Sequence, residues 1–135
     1  MKKRMLALAM ILILVLTSTV FAYAEVEPRD TNAITFATQR VSRTTATATI
    51  DITFSAEVDR YNVVVYLQKK VDNRWVSDVT NEDYVFSNSG TNDFDFTFNH
   101  IYSTLESGVN YRLKCVVNDT VGSNSYSFTS YSNQF

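Results

Sequence analysis

Residues 44–55 read TTATATIDITFS, and this stretch decides the fold class. Ala46, Ala48, Ile50, Ile52 and Phe54 share one parity, while Thr45, Thr47, Thr49, Asp51 and Thr53 share the other. Successive side chains of a strand point to opposite faces, so this period of two describes a strand with one buried and one wet side. Threonine suits the wet side because its β-branch favours extended backbone while its hydroxyl stays solvated.

The same period recurs outward in both directions. Ile34 to Thr38 reads as a short first strand. Arg60 to Lys70 reads as a third, with Tyr61, Val63, Val65 and Leu67 inward. Val71-Asp72-Asn73 makes a turn, and Trp75 to Val79 returns as a fourth strand. Thr80 to Asn92 is looser, with a short edge at Tyr84-Val85-Phe86. Asp93 to Asn99 alternates again, with Phe94, Phe96 and Phe98 expected inward. Asn110 to Asn118 directs Tyr111, Leu113, Cys115 and Val117 to one face; Asp119 to Ser123 turns, and Asn124 to Thr129 closes with Tyr126 and Phe128 inward. No segment after residue 24 has helical periodicity. About seven short strands at turn spacings near ten residues predict an all-β, two-sheet antiparallel sandwich.

Residues 1–24 state where that domain is expected to work. Lys2-Lys3-Arg4 is a basic head, Met5 to Val20 carries no charge, and Ala22-Tyr23-Ala24 fits a leader-peptidase site. This is the pattern of a secretory signal peptide cleaved between Ala24 and Glu25. The uncharged run falls short of the roughly 20 residues a spanning helix needs. The reading divides the chain into a signal peptide at 1–24, a flexible lead-in at 25–33 (EVEPRDTNA, with the single proline) and one domain at 34–135. Localisation is expected to be secreted, with free release, a monomer as the starting expectation and no membrane contact after cleavage.

Leader removal takes Lys2, Lys3 and Arg4 from the 12 basic residues and none of the 14 acidic ones, leaving a net charge of −5. That sign disfavours nucleic acid and anionic membranes, whose phosphates repel it. The sole cysteine, Cys115, permits no internal disulfide, so packing alone must hold the fold. Its parity with Tyr111 and Leu113 places it in the core as a small hydrophobe.

Residues 105–118, LESGVNYRLKCVVN, form the strongest local signature. They resemble the fibronectin type III segment that leads into the F strand, where a leucine and a glycine precede a tyrosine and alternating apolar residues. The resemblance implies an immunoglobulin-like sandwich in which Leu105 plugs the core, Gly108 permits a tight turn and Tyr111 makes the tyrosine corner. It extends by strand order over residues 34–129. The family commonly carries a tryptophan in its B strand, whereas here Phe54 closes that strand and Trp75 sits in the strand after C. The chain also resembles small secreted proteins of Gram-positive bacteria, a likeness that carries no activity.

Catalysis finds no support in the residues. His100, the single histidine, lacks an HxH or HxxxH partner, and no serine sits in a G-x-S-x-G elbow. No phosphate loop, cofactor motif or D-x-D-x-D-G calcium loop occurs, so neither cofactor nor metal is expected. Asn118-Asp119-Thr120 matches the glycosylation sequon, which a bacterial leader makes a chance occurrence. A binding face is the one constructive candidate. If the third strand neighbours the Tyr111 strand, Val64, Tyr66 and Val116 share an outer surface rimmed by Arg112 and Lys114 and extended by Trp75. Apolar and aromatic groups with a basic rim suit an extracellular protein or glycan. The expected function is a non-catalytic binding module. The rival is a structural protein assembling through its strand edges at the cell surface or in a matrix.

Overall fold

The computed structural model describes residues 33–135; the leader, its Ala24–Glu25 junction and all of the lead-in except Ala33 lie outside the described residues. Six strands follow in order: β1 (Ala33–Arg40), β2 (Ala46–Val71), β3 (Arg74–Ser77), β4 (Val85–Tyr102), β5 (Tyr111–Val121) and β6 (Asn124–Tyr131), with a single 3₁₀ turn, Glu82–Tyr84, before β4. All pairings are antiparallel. The path runs β1-β2-β5-β6, and β3 and β4 also pair with β2.

β2 is the organising strand. Residues 46–53 pair with β1 and with 95–102 of β4; residues 60–69 pair with β5 and, over 60–66, with 85–91 of β4. The two stretches meet at an irregularity between Thr53 and Val58. β4 doubles back at the same level. Phe86 and Phe98 are twelve residues apart, about 40 Å along an extended strand, yet their ring centroids lie 4.6 Å apart. Asn92, with φ of 54°, sits between them, and across the bend of β2 the rings of Phe54 and Tyr61 are 5.3 Å apart. The sheet therefore folds over itself, and the inner faces of both arms close on one core.

That core is built from the alternating residues. Ala46, Ile50, Ile52, Val63, Val65, Leu67, Leu113, Cys115 and Val117 are all at most 1% exposed. Each large aliphatic side chain so buried contributes roughly 1.5–3 kcal/mol. Gly90 has a packing reason: a Cβ there would lie 2.5 Å from the Tyr61 ring, which covers the β4 backbone. Both two-residue hairpins use the residues their geometry demands. Asp72 and Asn73 both have positive φ between Val71 and Arg74, the pattern of a type I′ turn, and Gly122 alone is positive between Val121 and Asn124, the pattern of II′.

Residues 105–111 pack across the end of the fold. Leu105 is 3% exposed, Gly108 has φ of +78°, and Tyr111 Oη accepts the Glu106 N–H at 2.9 Å. Arg40, at the end of β1, donates to the carbonyls of Glu106 (2.8 Å) and Val109 (3.0 Å), with its guanidinium 5.4 Å from the Tyr111 ring. Lys69 closes the group with a 2.6 Å ion pair to Glu106.

Four expectations are corrected. The second and third strands are one continuous strand, because residues 55–60 carry neither glycine nor proline and only change register. The looser segment at 80–92 is largely the first half of β4, its serines and asparagines held in the ladder opposite 60–66. Phe94 is 58% exposed rather than inward, because the irregularity leaves it opposite residues that make no ladder pair. β5 runs through Val121, so Asn118 lies on a strand and the turn is Gly122-Ser123.

Candidate binding face

The even-numbered residues of β2 between 60 and 70 face away from the core, and the register of their neighbours builds a surface. One row sets Ser87, Val64, Val116 and Thr129 side by side; the next sets Val85, Tyr66, Lys114 and Tyr131. Beyond them come Ser77, Gln68 and Arg112, and then Trp75 beside Lys70. All six residues singled out from the sequence, Val64, Tyr66, Trp75, Arg112, Lys114 and Val116, fall on this face and are half-buried. The 80–92 segment lies beside them in the sheet plane, not over them.

Cations and rings alternate across it. The Arg112 guanidinium lies 4.5 Å from the Trp75 ring centroid and 4.2 Å from that of Tyr131. Lys70 Nζ stands 5.8 Å from the Trp75 centroid, and Lys114 Nζ 5.8 Å from that of Tyr66. Such contacts contribute about 0.5–1 kcal/mol each at exposed sites. Arg112 Nε also donates to Gln68 Oε1 at 2.8 Å, while Gln68 Nε2 donates to Ser77 Oγ at 3.0 Å. Both ends of the Gln68 amide are thereby engaged within the protein. Among the described residues Lys70, Arg112 and Lys114 have no carboxylate within ion-pair distance, whereas Lys69, one residue along on the opposite face, pairs with Glu106.

Sequence reading missed Gln68, Lys70 and Tyr131. Gln68 and Lys70 share the parity of Val64 and Tyr66, a usable signal. Tyr131 lies two residues past the expected end of its strand, and only the register with Lys114 brings it in. At the other end of the same face, Arg60, Asn62, Asn118, Thr120 and Ser125 help line a cleft of about 430 Å³.

The other chemically versatile side chains pack against the core. His100 is half-buried, its ring 5.9 Å from Phe98 and 4.6 Å from Tyr102. Cys115 is fully buried, and burial pushes its thiol up to about 11. Burial also raises Tyr61, with Asp93 and Asp95 adding to it. Among the described residues no group of three or more His, Cys, Asp or Glu is placed to hold a metal ion. Comparison with protein-family models and with curated proteins found no match to this chain.

Proposed function

We propose that the chain is an exported, non-catalytic binding module on an immunoglobulin-like, fibronectin-type-III-like sandwich. It engages a partner at the cell exterior through the face around Trp75 and Arg112. The fold assignment is supported by the neighbour order. β1, 46–53 and 95–102 make one layer, and 85–91, 60–69, β5 and β6 make the other. The hydroxyl of Tyr111 bonded five residues upstream agrees with a tyrosine corner.

One observation carries the binding reading: Arg112 held between Trp75 and Tyr131 on an outer face that also displays Tyr66, Val64 and Val116. Tryptophan, tyrosine and arginine are the residue types that dominate recognition surfaces, and a sheet needing only solvation would carry threonine and lysine there. The test replaces Trp75→Ala and Tyr66→Ala separately. Both variants should keep the wild-type circular dichroism and cooperative melting, and both should lose binding to intact cells and to glycan or protein arrays. Unfolding of both would make them core residues and end this reading.

A further inference from the structure

Phe94 supplies a second, independent observation. Phe94 is 58% exposed at the bend of β4, forgoing the burial that an aromatic side chain favours. Asp93 and Asp95 flank it, Asp51 lies across the ladder from Thr97, and Glu57 belongs to the facing irregular stretch of β2, while Asp59 beyond it accepts the Gly122 N–H. No lysine or arginine occurs between Arg43 and Arg60 or between Arg74 and Arg112. Arg60, opposite Thr91, is the cation nearest in register. The corner is therefore an apolar ring in an acidic surround.

The face around Arg112 is its complement: aliphatic and aromatic side chains with three cations that have no carboxylate partner among the described residues. Along β2 the bend at Val58 lies six residues from Val64 and twelve from Lys70, about 20 and 40 Å of extended strand. Face and corner cannot meet within one copy, but they can meet between copies. A neutral glycan fits this face less well, since the carboxamide that would read its hydroxyls, Gln68, is already bonded at both ends.

We propose that a partner of this face is a second copy of the chain, which seats its Asp93-Phe94-Asp95 corner on Val64, Tyr66 and Val116 with its carboxylates toward Lys70 and Lys114. This rests on the preceding reading of the face as a recognition surface. The contact is head-to-tail, so each added copy presents a fresh face and a fresh corner. Such heterologous contacts form open chains unless their rotation closes a ring.

Sedimentation velocity of the chain from Glu25 onward tests it. The wild type should sediment faster as its concentration rises, and revert to monomer in about 0.5 M salt, where the Debye length shrinks to about 4 Å. Phe94→Ser keeps the face and loses the corner; Lys114→Glu keeps the corner and damages the face. Each variant alone should stay monomeric and retain wild-type circular dichroism, while an equimolar mixture should form a pair that grows no further. A wild type that remains monomeric at millimolar concentration overturns the proposal. So does a mixture that stays monomeric while the wild type associates, which would place the contact at the strand edges. A monomer whose face still binds cells or arrays removes this inference and leaves the binding function standing.

Discussion

Between Ala46 and Phe54, β2 sends Ala46, Ala48, Ile50, Ile52 and Phe54 into the core and Thr47, Thr49, Asp51 and Thr53 outward. Between Tyr61 and Lys70 the same strand buries Tyr61, Val63, Val65 and Leu67, but turns out Asn62, Val64, Tyr66, Gln68 and Lys70. The inner faces are equivalent; the outer faces are not. On the first arm, polar groups satisfy one another in the plane of the sheet: Thr49 Oγ1 donates to Asn99 Oδ1 at 2.8 Å and Thr97 Oγ1 to Asp51 Oδ1 at 2.9 Å. Ile101, opposite Thr47, is the exposed apolar side chain among them. On the second arm, rings and cations meet in contacts that leave Tyr131 47% exposed. The difference teaches that alternation identifies the buried side of a strand, while the identity of the outward residues separates a merely solvated face from a recognising one.

The equivalence of the inner faces is the part with the largest energies. Ile50→Ala and Leu67→Ala should each cost about 2–5 kcal/mol in urea denaturation, with similar values for the two arms. A small loss at either site would show that one arm contributes little to the common core.

The second arm carries an ionisable core thiol on its neighbour β5, Cys115, opposite Val65. Its protonated form is favoured in the folded state, where its value is about 11 against 9.0 for the reference group. Above 9 the unfolded chain loses the proton while the folded chain keeps it, so stability falls as pH rises from 9 to about 11. Tyr61, Tyr102 and Tyr111, raised chiefly by burial, act in the same direction at higher pH. The thiol's share is on the order of 2 kcal/mol, and in Cys115→Ala the decline between pH 9 and 11 should be shallower. Native protein should also resist dithionitrobenzoate until denaturant is added.

Smaller still is the contribution of the segment 105–111. Tyr111→Phe removes the acceptor of the Glu106 N–H and should cost about 1 kcal/mol with no change in secondary structure. The outer faces come last. Thr49→Ala should alter stability by less than about 0.5 kcal/mol. Trp75→Ala should lose about 0.5–1 kcal/mol for each of its two cation contacts. Binding is where they part: the tryptophan variant should abolish it and the threonine variant leave it unchanged. Equal effects on binding would erase the distinction between the two faces.

Much of this is legible in the sequence. Period alone assigns alternate residues of Ala46 to Phe54, Tyr61 to Leu67 and Tyr111 to Val117 to the inner face, and each of these sets is buried. Phe94 broke the rule because counting by twos assumes an unbroken ladder, and the irregularity opposite it resets the register. Residues 80–92 were misread because serine, asparagine and glycine suggest a loop, although Gly90 is there to admit the Tyr61 ring. Val64, Tyr66 and Val116 were legible as a face, since they share outward parity on strands expected to neighbour each other. Arg40's hold on the carbonyls of Glu106 and Val109 was not, because nothing local links residues nearly seventy positions apart.

By itself, then, the chain's alternation determined which side chains are buried wherever the ladder is unbroken, and that the architecture is all-β, since parity is a local property of pleated backbone. The folding of β2 and β4 back on themselves, and the meeting of Trp75, Arg112 and Tyr131, were decided only by tertiary structure. The physical reason is that register between distant strands depends on where the sheet bends and how the core packs, and no short window of sequence contains both.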